Sequence, residues 1–376
     1  MRIAFLCKRR YMGKDVVLDR YARLYEIPHQ LARLGHAVHG YCLDYHAADS
    51  AGQWTHDAVP GTLAWQSFAV GKARLPWLAT YPWHLLRQLR AFRPDLLIGA
   101  SDIPHVALTR WLARQLDTPY AADLYDNFEG FGQASIPGSV PALRRAVREA
   151  AVVVTTSEPL RRKVLADGAK GTVIAMPSSV DLAVFKPGDK AQARHALGLP
   201  AEARLVGTAG GLYREKGIEP LYAAWPAIAA ARPDAHLVLA GPLESGLALP
   251  QGERVHYLGH LAHAQVADLF RALDVGIISI LDTPFGRYCF PQKAYEMLAC
   301  GLPVAAADIG QMHDLLAGTP QALFTAGDAQ ALARAVLSQS QAGQRSHVPI
   351  ADWAALIGDV EAALLRVLHQ ANGDPR

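Results

Sequence analysis

Short β-type runs alternate with amphipathic helical patterns along the whole chain, and this alternation limits the fold more than any single motif. In the first half the strand patterns cover residues 2–7, 37–43, 63–70, 95–100, 120–124, 151–155 and 172–175. Helical patterns lie between them at 18–34 (interrupted by Pro28), 82–92, 106–115, 140–149 and 158–166. The second half repeats the scheme, with strands at 204–208, 236–240, 255–258, 275–279, 303–306 and 322–324. Its helices are expected at 218–231, 264–272, 291–300, 329–338 and 352–370. Strands that alternate with helices predict parallel sheets covered on both faces, with ligands at the carboxyl ends of the strands. At 376 residues the chain is too long for one ordinary core. A polar stretch, 186–190, predicts a break between domains spanning 1–185 and 186–350. A helix at 351–376 is then free to cross back to the first domain.

Composition narrows the class. Hydrophobic residues make up 51% and charged residues 19%, which describes a packed globule and not a disordered chain. The four cysteines, at 7, 42, 289 and 300, show no metal spacing and read as reduced thiols of a cytoplasmic protein. The apolar run at the N-terminus is too short for a signal peptide or a spanning helix. Net charge is +3 but uneven: residues 1–185 hold 22 Lys and Arg against 16 Asp and Glu, and the rest hold 15 against 18. A basic first half suits an anionic acceptor or a peripheral contact with the inner face of a membrane; scattered solvated charge is the plainer reading. Trp77, Tyr81 and Trp83 read as core before they read as a membrane interface. No nucleic-acid module is visible.

Two segments carry chemistry. In the run from Cys289 to Val304, Pro291 marks a helix start, Lys293 and Glu296 follow on one face, and Gly301 ends the helix. A helix start offers unpaired N–H groups and partial positive charge to a phosphate, Lys293 adds a full charge, and Glu296 can accept from sugar hydroxyls. The run from Gly207 to Ile218 follows a strand and opens a helix. Gly210 and Gly211 allow close approach of a ligand, while Arg214 and Lys216 supply two cations for a diphosphate. It is neither a Walker loop nor G-x-G-x-x-G. A surface helix and a glycine-rich turn with solvated cations are the plainer alternatives.

Taken together, these segments resemble the retaining glycosyltransferases of family 4, which have the GT-B fold. The resemblance lies in Glu215-Lys216-Gly217, in the helix from Glu296 through Met297, Ala299, Gly301 and Pro303-Val304, and in Met176-Pro177-Ser178-Ser179-Val180-Asp181 with Phe185 and Pro187. The chain departs from Glu-x7-Glu, since Tyr288 stands eight before Glu296; Pro291-Gln292-Lys293 resembles a Pro-x-Lys-x-x-Glu subgroup. The family's Arg five before the Lys is Gly211 here, with Arg214 expected in its part.

The resemblance implies an α/β, GT-B architecture: two doubly wound Rossmann-like domains facing across a deep cleft, the first holding the acceptor and the second the donor. It implies retaining transfer of a hexosyl unit from a nucleoside diphosphate sugar to a glycan, lipid-linked or cell-envelope acceptor, with no metal and no cofactor. Arg214, Lys216, His105 and Glu296 are the implied catalytic residues. Gly13, Gly210, Gly211, Arg287, Tyr288, Pro291, Lys293 and Gly310 join them around the donor. Lys8, Arg9, Arg10, Asp102, Asp126 and Asn127 are the implied acceptor ligands, with Glu129 a weaker one. Tyr125 stands where the family has a His. A non-catalytic GT-B binding protein and a nucleotide-sugar epimerase are the rival functions.

Overall fold

The computed structural model describes residues 1–46, 50–70, 74–342 and 350–371. The chain divides into two units, Met1–Ser178 together with the segment from Trp353 onward, and Ser179–Asp352. In the first unit β1 (Arg2–Lys8) leads into a hairpin, β2 (Arg10–Tyr11) and β3 (Lys14–Asp15). Then come α1 (Ala22–Arg33), β4 (Ala37–Asp44), β5 (Gly52–His56), β6 (Thr62–Ala69), α2 (Arg74–Phe92), β7 (Leu96–Ala100) and α3 (Ile103–Leu116). The unit continues through β8 (Tyr120–Leu124), α4 (Ser139–Glu149), β9 (Val152–Thr155), α5 (Glu158–Ala166) and β10 (Thr172–Ala175).

All of these strands except β2 and β3 form an eight-stranded sheet in the order β10-β9-β8-β7-β1-β4-β6-β5. All pairs are parallel except β5 on β6. The order reverses between β1 and β7, the switch point where a doubly wound sheet opens a crevice. β1 shows why the sheet must be covered on both faces: Ile3, Phe5 and Cys7 enter one cluster, while Ala4 and Leu6, on the other face, are equally buried. Ile3, Phe5 and Leu6 each contribute roughly 1.5–3 kcal/mol of burial.

The second unit runs α6 (Lys190–Ala196), β11 (Arg204–Ala209), α7 (Ile218–Ala231), β12 (Ala235–Ala240), β13 (Val255–Tyr257), α8 (His263–Ala272) and β14 (Val275–Ile278). It ends with α9 (Pro284–Tyr288), α10 (Gln292–Ala299), β15 (Val304–Ala307), α11 (Gln311–Leu315), β16 (Leu323–Phe324) and α12 (Ala329–Ala342). Its six strands are all parallel, in the order β13-β12-β11-β14-β15-β16, with the switch between β11 and β14. Alternate residues again build two cores: Val238 and Ala240 on one face, Leu237 and Leu239 on the other. The chain then returns to the first unit as α13 (Trp353–Ala371). Ile357, Val360 and Leu364, spaced to share one helical face, join the same core as Leu24, Ile27 and Leu31 of α1. His36 Nε2 and Glu361 lie 2.8 Å apart across that contact.

Several expectations shift. The break falls after Ser178, because Val180 and Phe185 pack into the second core with Phe270, and Ser179 Oγ donates to the Ala351 carbonyl at 2.8 Å. The polar stretch expected to be a linker opens α6, capped by Asp189 accepting from Gln192 N–H. α1 begins four residues late. The carboxylate of Asp15 takes the N–H groups of Val17 and Leu18, turning the chain before the helix starts. α2 begins eight residues early and keeps Pro82 inside it. α12 runs to Ala342, four residues beyond its expected end at 338. All four cysteines are free and buried.

Candidate functional site

The switch point of the second unit gathers one group of side chains. Beyond β11 the chain passes Gly210 and Gly211, and Lys293 reaches back from the first turn of α10. Its Cε and Nζ lie 3.7 Å from where a Cβ on Gly210 would stand. The Tyr213 ring covers Gly211, 2.4 Å from the place of a Cβ there, and Lys216 Nζ stands 5.3 Å from the centre of that ring. Gly217 makes the turn possible. Its φ is +74°, and a Cβ would fall 1.6 Å from the Ser279 carbonyl oxygen just past β14.

Two ammonium groups thus share one corner. Burial, and then the facing Lys216, lower the Lys293 ammonium to about 8. Neither ammonium group has a hydrogen bond or ion pair among the described residues. Two unneutralised cations in a half-buried corner favour a ligand with at least two negative charges. Glu296 follows one turn into α10, partly buried. Burial raises its carboxyl to about 7, against the opposing pull of Gln292 and Lys293. Pro291 is the N-cap of α10. The helix start offers less than expected, because the N–H groups of Gln292 and Ala294 already bond the Phe290 and Pro291 carbonyls.

Arg214 meets carboxylates of the protein itself. Its guanidinium donates to Glu244 at 2.7 Å, to Glu219 at 3.1 Å and to the Gly246 carbonyl at 3.1 Å, so its fork is spent on protein carboxylates. Arg287 likewise pairs with Asp282 at 2.5 and 3.2 Å on the surface. Tyr288 closes α9, half-buried. Gly310 packs on the carbonyls of Gly286 and Arg287, 2.8 Å from the place of a Cβ.

The first unit presents its own group at the switch between β1 and β7. Lys8, at the end of β1, donates from Nζ to Tyr125 Oη at 2.9 Å, and burial lowers its ammonium. The basic run does not stand free. Arg9 is buried, paired with Asp15 at 2.9 Å and stacked on Trp54. Arg10 lies 3.4 Å from Asp15 and 3.2 Å from Asp44. Two carboxylates therefore offset Arg9 and Arg10, two of the three cations expected to meet an anionic acceptor. Gly13 lies in the first hairpin. With Met12 it makes the two-residue turn of the β2–β3 hairpin, both at positive φ, and nothing lies within 4 Å of a Cβ there.

Asp102 caps α3. Its Oδ1 takes the His105 N–H at 2.9 Å and stands 2.6 Å from His105 Nδ1; its Oδ2 accepts from Tyr45 Oη at 3.2 Å. Burial alone would raise the Asp102 carboxyl, but His105 and Lys8 hold it below its ordinary value. His105 is itself buried. Asp126 and Asn127 line a cavity of about 30 Å³ under α4 and α5, room for about one water and not for a sugar ring. Burial raises the Asp126 carboxyl to about 6. Glu129 is held by Arg144 at 2.7 Å and Lys163 at 3.4 Å.

Trp83 is exposed and meets Trp111 edge-on at 4.9 Å, while Tyr81 is core. The side chain of Trp77 lies outside the described residues. Among the described residues no helix is long and apolar enough to cross a membrane. Sequence reasoning missed Tyr213, Glu244 and Tyr45. Their roles arise from approaches between distant segments, and no local spacing marks them.

Comparison with known proteins matches both units. The Glycosyl transferase 4-like domain matches residues 22–177, and the Glycosyl transferases group 1 domain matches residues 203–341. D-inositol 3-phosphate glycosyltransferases of Mycobacterium tuberculosis and Mycobacterium bovis are 32% identical over 230 residues, 56% of this chain. That stretch is 45% of their own length, so the chain spans about half of the relatives it matches. Among solved structures, sucrose-phosphate synthase from Thermosynechococcus elongatus superposes with a TM-score of 0.71 at 20% identity, over 98% of this chain and 99% of the other. Anabaena HepE in complex with UDP-glucose gives 0.68 at 20%, over 97% and 100%. With a match to the 4-like domain in its first unit and to the group 1 domain in its second, the chain has the GT-B fold.

Proposed function

We propose that the chain transfers a hexosyl unit, with retention, from a nucleoside diphosphate sugar to a hydroxyl of a glycan or lipid-linked acceptor, without a metal. The observation that carries this reading is the corner formed by Lys216, Lys293 and the Gly210–Gly211 backbone. The two ammonium groups would receive the diphosphate, and Glu296 the hydroxyls of its sugar. Lys293 would take the part first given to Arg214, which fits the Pro-x-Lys-x-x-Glu resemblance. The UDP-glucose bound to the HepE structure makes UDP the first base to try.

In this scheme the bond from the anomeric carbon to the β-phosphate oxygen breaks, and the acceptor oxygen bonds that carbon on the same face. The acceptor proton passes to the departing phosphate oxygen. As negative charge grows on the diphosphate, Lys216 and Lys293 stabilise it, so the protein contributes position and electrostatics more than acid–base groups.

Titration calorimetry with UDP, GDP, ADP and TDP tests the corner. One of the four is expected to bind, and Lys216→Met and Lys293→Met each to weaken it about tenfold or more, the loss of one charge-assisted contact. Unchanged affinity in both variants would overturn the assignment. The anomeric configuration of the product, read by proton NMR, tests retention; undiminished turnover in EDTA tests independence from metal. Consumption of the nucleotide sugar without an acceptor would favour an epimerase.

A further inference from the structure

The turn that carries Lys216 is held by a carboxylate from another segment. Past Ala209 and Ala240, the last paired residues of β11 and β12, the two chains keep a parallel ladder. Gly210 N–H donates to the Ala240 carbonyl at 3.0 Å, Leu212 N–H to the Pro242 carbonyl at 2.9 Å, and Glu244 N–H to the Leu212 carbonyl at 3.1 Å. In a regular parallel ladder the next rung would run from Arg214 N–H to the Glu244 carbonyl. That carbonyl accepts from Leu247 N–H at 3.1 Å, and Arg214 N–H donates to Glu244 Oε2 at 2.7 Å. The side chain of Glu244 thus stands in for its own carbonyl. Its Oε1 accepts from Arg214 Nη1 at 2.7 Å, so the guanidinium matches its charge.

That rung fixes the near end of the turn. Lys216 N–H bonds the Tyr213 carbonyl at 3.0 Å and Gly217 N–H the Arg214 carbonyl at 2.9 Å, which makes one tight helical turn over Arg214–Lys216. Gly217, pressed against the Ser279 carbonyl, fixes the far end. A cation on a turn held at both ends has little freedom left to lose when a ligand binds; on a turn held at one end it has more. We propose that Glu244 is a positioning residue, which through its rung to Arg214 N–H sets the Lys216 ammonium opposite Lys293 for the diphosphate. Glu244 acts through the turn, without contact to the donor. This role rests on the corner being a diphosphate site.

The test compares two double variants of the full chain. Arg214→Ala with Glu244→Gln keeps an acceptor for the N–H at position 214; Arg214→Ala with Glu244→Met, of like length, removes it. Both are neutral at the two positions, and neither frees a guanidinium that could substitute for Lys216. In titration calorimetry the Gln form is expected to bind UDP, or whichever of the four nucleotides the parent chain binds, about 2–10-fold tighter than the Met form, the value of one net hydrogen bond. Lys293 gives a second readout that needs no nucleotide. Burial and the facing Lys216 hold its ammonium at about 8, while Glu296 and Cys289 pull the other way. A ¹³Cε NMR titration should leave it there in the Gln form and find it higher in the Met form. A loss of stability that left Lys216 in place would not move that titration. Equal Lys293 titrations in the two forms would overturn the proposal, and so would equal nucleotide affinities in forms that bind one. A Lys293 titration that differs between the two forms, in a parent chain that binds none of the four, would uphold the positioning by Glu244 and overturn the diphosphate reading.

Discussion

At the scale of single residues, Glu296 and Lys293 have titrations that both chemistry and stability should report. Glu296 must be ionised to accept from sugar hydroxyls, and Lys293 must be protonated to hold a diphosphate. With the first near 7 and the second near 8, kcat/KM should trace a narrow bell, rising through about 7 and falling through about 8. Lys293→Arg should carry the alkaline limb beyond the range measured. A flat profile from pH 6 to 9 would sink the assignment of both residues. Stability gives an independent check. The folded Glu296 carboxyl lies above its unfolded value, so the folded chain holds more protons between them and loses stability as pH rises from about 4.5 to about 7. Glu296→Gln should therefore raise Tm at pH 7.5, with the gain vanishing near pH 4.

At the scale of elements, the buried pair between α1 and β8 decides how the first unit holds together. Arg23 donates to Asp123 at 2.6 and 2.9 Å and to the Met176 carbonyl at 2.5 Å, and both side chains are out of water. Removing one partner strands the other charge. Arg23→Ala should cost on the order of 3–5 kcal/mol by urea denaturation, while Arg23→Met with Asp123→Leu should recover much of it. The return of α13 is a second such element. Leu364→Ala opens a space against α1 and should cost about 2–5 kcal/mol. A loss below 1 kcal/mol would mean that α13 is not part of that core in solution.

At the scale of the whole molecule, a nucleotide held in the donor corner should leave its trace on one unit. Hydrogen exchange with saturating UDP is expected to slow in 204–217 and 289–297 and to stay unchanged in α4 and α5. Tm should rise with ligand concentration, by about 2.7 kcal/mol of stabilisation at a hundred times Kd. Protection confined to the first unit would contradict the donor assignment.

The two sheets, nearly all their strands and the helix opened by Pro291 were legible in the sequence, because burial on both faces of a parallel sheet writes short apolar runs that any register preserves. Lys216, Lys293 and Glu296 were legible for a related reason: each lies within a turn of a glycine or proline that sets the local backbone. The spent fork of Arg214, the neutralised Arg9 and Arg10, and the Asp102–His105–Tyr45 group were not. A charge is free or paired according to which distant carboxylate the fold brings within about 3 Å, and no periodicity in the chain records that meeting. The sequence by itself thus determined the layers and the turns, and only tertiary structure decided which cations still lack a partner.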